Sequence, residues 1–475
     1  MSAPHELTML RQAAAVRDGE LAPTELAEHY LRRIEELDPL LGAYLTVTAD
    51  RALDDARRAE ERLAHLRPGE AAPPLLGVPM PVKDLVPVPG VRHTLGSVVF
   101  AHQVAERAPH TVRLLDRAGM VLLGKSNTPE FGLPAYTESR VGPPARTPWD
   151  PSRIAGGSSG GAAAAVAAGL APAAPGSDGG GSIRIPASCC GLVGLKPSRG
   201  RVSTAPFADV SGLAVEGPLA RTVRDAAALL DVMARPAPGD PYAMPPATDS
   251  YLSHCHPPRR RLRVGRLATP DVAGVEVDPE VLRVYEATTA LLVELGHEVV
   301  DVAQPLRSGD RDAFTPVWAV LAAMTPVPPG REGELMPQTR WLRDQAAAFD
   351  ALEYARAVAA LQHVGRRHAE AVEPWDALLT PTLAQLPPKV GELRNDEDPA
   401  ADFAAQLAFT PFTAPWNMAG LPAVSLPLGW ATGPEGDLPV GMMFGGRHGS
   451  EGLLLSLATE LEEARPWADR RPPVW

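Results

Sequence analysis

Apolar and polar positions alternate along the N-terminal part of the chain in patterns that predict helices and strands in turn. An amphipathic helix opens near Thr24 and ends at Asp38-Pro39, and its apolar face is formed by Leu26, Tyr30, Leu31, Ile34 and Leu37. Short apolar runs predict strands at 43–48, 79–85 and 120–124, with helical patterns at 50–66 and 110–118. This alternation is typical of an α/β layered domain.

The C-terminal half shows the same alternation around a less regular middle part. Helices are predicted at 217–234, 278–295 and 451–464, and strands at 262–267, 298–302, 376–382, 420–429 and 438–446. Residues 303–400 mix proline-rich turns with helical runs and form the least regular part. No internal repeat or clean linker divides the chain, so we expect one large domain over residues 1–475.

Charge and cysteine content narrow the function classes. The net charge is −12, which argues against a general nucleic-acid binder because such proteins carry a basic footprint. The three cysteines form no disulfide framework, and the first residues contain no secretion signal, so we expect a cytoplasmic protein. The longest alanine-rich apolar stretch is interrupted by glycine and proline, so we expect no membrane span.

A run of glycines and serines over residues 153–203 interrupts the alternating pattern. Gly179, Gly180 and Gly181 precede Ser182, and consecutive backbone N–H groups in such a turn can converge on an oxyanion next to the serine hydroxyl. A flexible turn or a phosphate-binding nest explains this tetrapeptide equally well. Ser158 and Ser159 lie in a second cluster before an alanine-rich stretch, where a helix N-cap is the alternative interpretation.

Lysine is rare, the other basic residues being arginine, and the few lysines are therefore candidates for special roles: Lys83, Lys125, Lys196 and Lys389. Lys83 lies in the apolar run Val78–Leu85. If this lysine is buried, desolvation lowers its pKa and makes it a candidate general base. A surface lysine paired with Asp84 is the alternative, and the local sequence leaves both open.

Four segments together resemble the amidase signature family, and the resemblance extends over nearly the whole chain except about 303–375. They are GVPMPVKDL (77–85), GKSNTPEFG (124–132), GGSSGGAAAAVAAG (156–169) and GSDGGGSIRIPASCCGLVGLKPSRGRVS (176–203). The resemblance implies an α/β fold with a central mixed, twisted β-sheet covered by helices on both faces. It also divides the domain into an N-terminal helical part (1–75), a signature core (76–235) and a variable substrate-lining region (303–400).

The resemblance also implies a Ser–Ser–Lys triad and an acyl-enzyme mechanism without cofactor or metal. The nucleophile is Ser182, the bridging serine is Ser158 after a cis Gly157–Ser158 bond, and the base is Lys83. The implied oxyanion hole consists of the backbone N–H groups of Gly179, Gly180, Gly181 and Ser182. The chain departs from the common family pattern at Gly179, where the family has a variable residue, and at Ser198-Arg199.

Within the family, the chain is particularly similar to amidases that act on non-peptide amides, including those of the 6-aminohexanoate-cyclic-dimer hydrolase type. We expect hydrolysis of linear amides, and also of esters or carbamates, with a small, apolar or aromatic molecule as the only implied partner; a homodimer stays open. The predicted pocket residues are Gly132, Leu133, Trp318, Phe409 and Trp416. The alternative functions are the glutaminase component of a tRNA-dependent amidotransferase and a non-catalytic binding protein.

Overall fold

A computed structural model describes residues 3–67, 69–208, 210–307, 309–433 and 436–475. The domain expected over 1–475 and the variable region expected over 303–400 are therefore described except for the residues in these gaps.

Strands and helices alternate through the described residues, with short 3-10 helices between them. The strands are β1 (Tyr44–Val47), β2 (Pro79–Lys83), β3 (Val121–Ser126), β4 (Ala173–Asp178), β5 (Val193–Lys196), β6 (Val215–Ala220), β7 (Arg263–Arg266), β8 (Glu298–Asp301), β9 (Ala377–Pro381), β10 (Ala423–Gly433) and β11 (Gly436–Gly445). The helices are α1 (Met9–Arg17), α2 (Pro23–Leu41), α3 (Ala49–Ala64), α4 (His110–Arg117), α5 (Gly160–Ala167), α6 (Arg184–Cys190), α7 (Val223–Met233), α8 (Pro279–Glu294), α9 (Phe314–Met324), α10 (Pro337–Ala347), α11 (Ala351–Val372), α12 (Pro399–Phe409), α13 (Ala414–Ala419) and α14 (Glu451–Ala464).

The strands form a large mixed sheet and a smaller one. The large sheet has the order β4-β6-β5-β10-β11-β9-β7-β8, with β7 parallel to β8 and β9 and the other neighbours antiparallel. The small sheet has the order β1-β3-β2, and β2 packs beside β4 of the large sheet. The predicted mixed α/β architecture is confirmed. The packing of β2 beside β4 brings the segment that ends at Lys83 next to the segment that leads into Ser182.

Two apolar layers cover the large sheet because side chains alternate along each strand. Val424 and Leu426 of β10 pack into the layer that contains α7, α8 and α14. Ser425 points the other way and bonds Thr382 on the side of α6. A second layer joins α2, α5 and α6, in which the alanines of α5 are fully buried. The short helices after the glycine-rich turns are therefore held from several sides.

The helix predicted at 217–234 is wrong over its first residues. Residues Val215–Ala220 form β6, and Gly217 lies so close to β5 that a Cβ there would be 2.3 Å from Leu195 O. The helix begins only at Val223, where Thr222 caps it by accepting a hydrogen bond from the Asp225 N–H at 3.1 Å. Pairing with two neighbouring strands outweighs the local helical pattern.

The middle region is more helical than its proline content predicts. It contains α9, α10 and α11, of which α11 starts with a capping box between Asp350 and Glu353. These helices pack on one another and on α12 and α13. In the described parts of the chain, none of the helices combines the length and apolar character needed to cross a bilayer.

Candidate active site

Lys83 ends β2 and is surrounded by hydroxyl groups. Its side chain is 1% exposed, and Nζ lies 2.8 Å from Ser158 Oγ, 2.9 Å from Ser159 Oγ and 2.9 Å from Ser177 Oγ. A neutral amine has two N–H donors and one lone pair, so it can donate to two of these hydroxyls and accept a proton from the third. Burial lowers the pKa of Lys83 to about 7, although the Asp178 and Glu216 carboxyls oppose this shift.

The neighbouring acidic residue does not pair with Lys83. Asp84 forms a fully buried ion pair with Lys125, with 2.9 Å between Oδ1 and Nζ, and also accepts a hydrogen bond from the Thr94 N–H. The surface-lysine interpretation of Lys83 is therefore wrong. Burial also lowers the pKa of Lys196 to about 7, but its Nζ donates to Pro197 O and contacts no hydroxyl among the residues that the structure describes. The hydroxyls, and not the shifted pKa alone, distinguish Lys83.

Ser158 and Ser159 lie in the turn before α5, and the predicted cis Gly157–Ser158 bond is present. Ser159 occupies the N-cap position, but its hydroxyl does not cap the helix. It accepts from Lys83 and donates to Ser177 O at 3.2 Å. The capping role predicted for Ser159 is therefore wrong, because its hydroxyl belongs to the cluster around the lysine.

Ser182 lies in the turn between β4 and α6, and Asp178 organises this turn. The Asp178 carboxylate accepts from the N–H groups of Gly181 (2.8 Å) and Ile183 (3.2 Å) and pairs with Arg184 (2.9 Å). Burial would raise the pKa of Asp178, but Arg184 outweighs it and lowers this pKa to about 2. Asp178 and Arg184 together therefore brace the turn that presents Ser182. The Ser159 N–H donates to Ser182 O at 3.2 Å, so the two serine turns are adjacent.

The contacts of the glycine turn correct the predicted oxyanion hole at one position. The N–H of Gly181 is taken by Asp178. Within the described chain, the N–H groups of Gly179, Gly180 and Ser182 have no protein acceptor and remain available. Gly181 is required as glycine, because its φ is +135° and a Cβ there would lie 2.4 Å from Thr413 Oγ1.

A narrow cavity of about 40 Å³ opens over this turn, and Ser182 and Gly180 line it. Its walls come from α12, from α9 and the turn before it, and from residues 133–135. The lining residues are Leu133, Pro134, Ala135, Gly180, Ser182, Ile185, Arg311, Phe314, Trp318, Phe403, Gln406, Leu407, Thr410 and Ala414. The Phe314 and Trp318 rings stack at 5.1 Å between centroids. The site therefore offers a mainly apolar and aromatic space beside a serine hydroxyl.

Comparison with known proteins agrees with this arrangement. The family model described as amidase matches residues 25–455. The chain belongs to the amidase signature family. It is therefore an amide hydrolase, as the resemblance implied.

Individual relatives extend over nearly the whole amidase. The 6-aminohexanoate-cyclic-dimer hydrolase of Paenarthrobacter ureafaciens is 37% identical over 98% of this chain and 96% of its own. A solved structure of 6-aminohexanoate cyclic dimer hydrolase with substrate superposes with a TM-score of 0.89 at 34% identity, covering 99% of this chain and 100% of that one. A bacterial aryl acylamidase has a TM-score of 0.87 at 26% identity, covering 98% of each chain. A glutamyl-tRNA(Gln) amidotransferase component of Thioalkalivibrio sulfidiphilus is 34% identical over 98% of this chain and 99% of its own.

The amidase uses only some of the predicted pocket residues. Leu133 and Trp318 line the cavity, and a Cβ at Gly132 would lie 3.3 Å from Ser158 Oγ. Phe409 and Trp416 do not line it. Phe409 is fully buried in the layer with α5 and α6, and Trp416 packs edge-on against His368.

Sequence reasoning missed several cavity residues of this amidase. The missed lining residues include Arg311, Phe314, Phe403 and Leu407. Their spacing of three or four residues on each wall was a visible signal, but an apolar stripe alone does not show that it meets a cavity. The stretch 311–325 is mostly apolar, and Arg311 is its first residue.

Proposed function

We propose that this amidase is a serine hydrolase that cleaves carboxylic amides of small, largely apolar or aromatic molecules through an acyl-enzyme at Ser182. Ser158 and Lys83 complete the catalytic triad. The observation that carries this proposal is the 2.8 Å contact between Lys83 Nζ and Ser158 Oγ in a cluster where no carboxylate pairs with the lysine among the described residues.

The proposed reaction uses the chain's own groups. Neutral Lys83 takes the Ser158 proton while Ser158 takes the Ser182 proton, and Ser182 Oγ bonds to the carbonyl carbon. The N–H groups of Gly179, Gly180 and Ser182 bind the oxyanion; one such donor is typically worth about 3 kcal/mol. Ser158 then donates a proton to the leaving nitrogen and regains one from Lys83. Water, activated by the same relay, releases the acid.

The substrate class is proposed from the walls of the cavity. Phe314, Trp318 and Phe403 favour apolar or aromatic groups. The similarity to an aryl acylamidase and to a hydrolase of a cyclic dimer supports amides of this kind. We propose linear amides as substrates, with esters and carbamates as further ones because acyl transfer to Ser182 follows the same steps.

A fluorophosphonate probe tests the nucleophile directly. We expect covalent labelling at Ser182 in the wild type and none in the Ser182→Ala variant, because only an activated serine attacks the probe. Labelling elsewhere, or no labelling of folded wild-type protein, would contradict the proposal and favour a non-catalytic binding protein.

Two hydroxyls at nearly equal distance from the lysine provide a matched test of the relay. Ser158→Ala and Ser177→Ala each remove one hydroxyl that contacts Lys83. We expect kcat/KM for an aryl amide to fall by about 10³-fold or more for Ser158→Ala and by about tenfold or less for Ser177→Ala. Equal losses would contradict the assignment of Ser158.

The glutaminase alternative is supported by the similarity to the glutamyl-tRNA(Gln) amidotransferase component. It predicts that the purified chain shows little amidase activity until a partner is added, and that glutamine is the only substrate turned over. A panel of aliphatic, aryl, cyclic and amino-acid amides separates the two functions. Turnover of glutamine alone would replace the proposed function with the glutaminase.

A further inference from the structure

Arg311 is the single ionic side chain among the described residues that line the active-site cavity. It lies in the 3-10 turn Asp310–Ala313 that leads into α9. Arg311, Phe314 and Trp318 are spaced by three and four residues, which places them on one helical face. That face carries an aromatic stack with a guanidinium at its N-terminal end.

The guanidinium is fixed by one of its nitrogens only. Nη2 donates to Asp271 Oδ1 and to Pro411 O, each at 2.5 Å. Nε and Nη1 have no partner in the described chain; Nε is buried, whereas the side chain as a whole is 13% exposed and lines the cavity. A buried donor without an acceptor is costly, so such a group is satisfied by a ligand or by water. Arg311 thus presents a donor that the folded chain leaves unused.

The amide and hydroxyl side chains of the cavity walls are already engaged. Gln406 accepts from the Ala135 N–H at 2.7 Å and donates to Asp402, and Thr410 Oγ1 donates to Gln406 O at 2.8 Å. Apart from the nucleophile, the glycine turn and the Trp318 indole N–H, Arg311 is the described lining residue with donors left for a polar atom of the substrate.

The surrounding charges favour an uncharged acceptor. Asp271 is almost fully buried and neutralises Arg311. The charge of Asp310 lies close enough to contribute to raising the pKa of Asp271, after the larger effect of burial. Arg367 in turn pairs with Asp310. A carboxylate entering this site would place a net negative charge in a mainly apolar cavity, which is unfavourable. A carbonyl oxygen accepts the same hydrogen bond without that cost.

We propose that Arg311 is a specificity-determining residue that selects amides carrying a second, uncharged carbonyl oxygen away from the bond that is cleaved. This inference rests on the proposed acyl-enzyme function. It adds a polar feature of the substrate, the second carbonyl oxygen, to the apolar and aromatic groups that the cavity walls favour.

Matched p-nitroanilides test this selection. The acyl chains have four to six carbons and end in a methyl group, a carboxamide or a carboxylate, so the last two differ mainly in charge. We expect wild-type kcat/KM to be about 10- to 100-fold higher for the carboxamide than for the other two, the range of a hydrogen bond to a charged group. A flat or inverted order in active enzyme would overturn the proposal.

Two variants separate recognition from charge. Arg311→Met is expected to reduce the carboxamide-to-methyl ratio to about one. Asp271→Asn keeps the guanidinium but removes its counter-charge, so the carboxylate-to-carboxamide ratio is expected to rise about tenfold or more. An unchanged ratio in either variant would overturn the proposal. If Arg311→Met fails to fold because Asp271 is left unpaired, the Arg311→Met/Asp271→Asn double variant replaces it, with the same expected loss of preference.

Arg343 provides the matched control. It holds the C-terminal end of α9 by donating to Ala322 O and Thr325 O, and it does not line the cavity. Arg343→Met is expected to keep the wild-type ratios, and an equal change there would assign the effect to the helix and overturn the role of Arg311. If Ser182→Ala loses all turnover but the wild type turns over the three anilides equally well, the Arg311 proposal alone is refuted. Turnover that survives in Ser182→Ala refutes the proposed function itself.

Discussion

The carboxyl group of Glu216 provides a test of how Lys83 is tuned. Glu216 on β6 is the cross-strand partner of Ser177 on β4, and Ser177 Oγ bonds Lys83. Cross-strand partners project from the same face of a sheet. Glu216 and Lys83 also line one small cavity of about 10 Å³ behind the active site, room for about one water. A negative charge on Glu216 therefore stabilises the ammonium form of Lys83.

The Glu216→Gln substitution removes that charge with little change of shape. Burial lowers the pKa of Lys83 to about 7, and the Asp178 and Glu216 charges raise it. Burial also raises the pKa of Glu216 to about 7. Lys83 and Glu216 therefore titrate together, and the Glu216 carboxyl is only partly ionised near pH 7. We expect the variant to lower the pKa of Lys83 by about half a unit to one unit.

Since the proposed reaction requires neutral Lys83, the acid limb of the pH profile should move to lower pH. At pH 6 the shift corresponds to about three- to fivefold higher kcat/KM relative to the plateau of the same enzyme. At pH 9 the lysine is neutral in both proteins, and the shift has no effect.

The assay is kcat/KM for an aryl amide between pH 5 and 9.5. Glu298→Gln makes the same substitution on the exposed edge strand β8, where Glu298 pairs with Arg263, and should leave the acid limb in place. If the acid limb of the pH profile of Glu216→Gln stays in place or moves to higher pH, the electrostatic reasoning is refuted. A purely structural role would instead lower the rate at every pH without moving the limb.

Three further predictions concern the framework of the site. Gly181→Ala should lower kcat/KM by about 100-fold or more, because the new Cβ would lie 2.4 Å from Thr413 Oγ1. Steady-state kinetics of the folded variant tests this, and near-normal activity would contradict the geometry of the turn. Arg184→Met should destabilise the protein by about 3–5 kcal/mol, measured by denaturant unfolding, because it leaves Asp178 buried without its partner; a loss below about 1 kcal/mol would contradict this. Burial lowers the pKa of His368 to about 4, so the unfolded chain binds more protons than the folded chain between about pH 4 and 6.5. About 3 kcal/mol of the free energy of unfolding should therefore be lost as the pH falls through that window. In His368→Leu this part of the pH dependence of unfolding should disappear.

The residues of the proposed triad could be identified because each lies in a short, specific motif. The glycines before Ser182 and the apolar run around Lys83 restrict the backbone locally, and the resemblance supplied their joint role. What the local sequence left open was the partner of Lys83. Asp84 is adjacent in sequence, yet it pairs with Lys125 on the neighbouring strand β3. Such a choice depends on packing between strands, which no local pattern contains.

The oxyanion hole shows a similar limit. The sequence does not distinguish the three glycines Gly179, Gly180 and Gly181. In the structure, the Asp178 carboxylate accepts the N–H of Gly181. Asp178 is itself held by Arg184 and by Asn417 of α13, more than two hundred residues away in the chain. The sequence therefore predicts the turn and not which of its donors remains available.

The cavity walls were the hardest part to predict, because apolar helices that are buried on several sides show no preferred face. On α12, Phe403 and Leu407 face the cavity, whereas Phe409 lies about a third of a turn away from that face and packs into the core. Aromatic content alone cannot separate these positions. A charged residue at the start of an apolar stretch carries more information, since burying it requires partners. Arg311 is such a residue, and its single counter-ion leaves the donor that we assign to substrate.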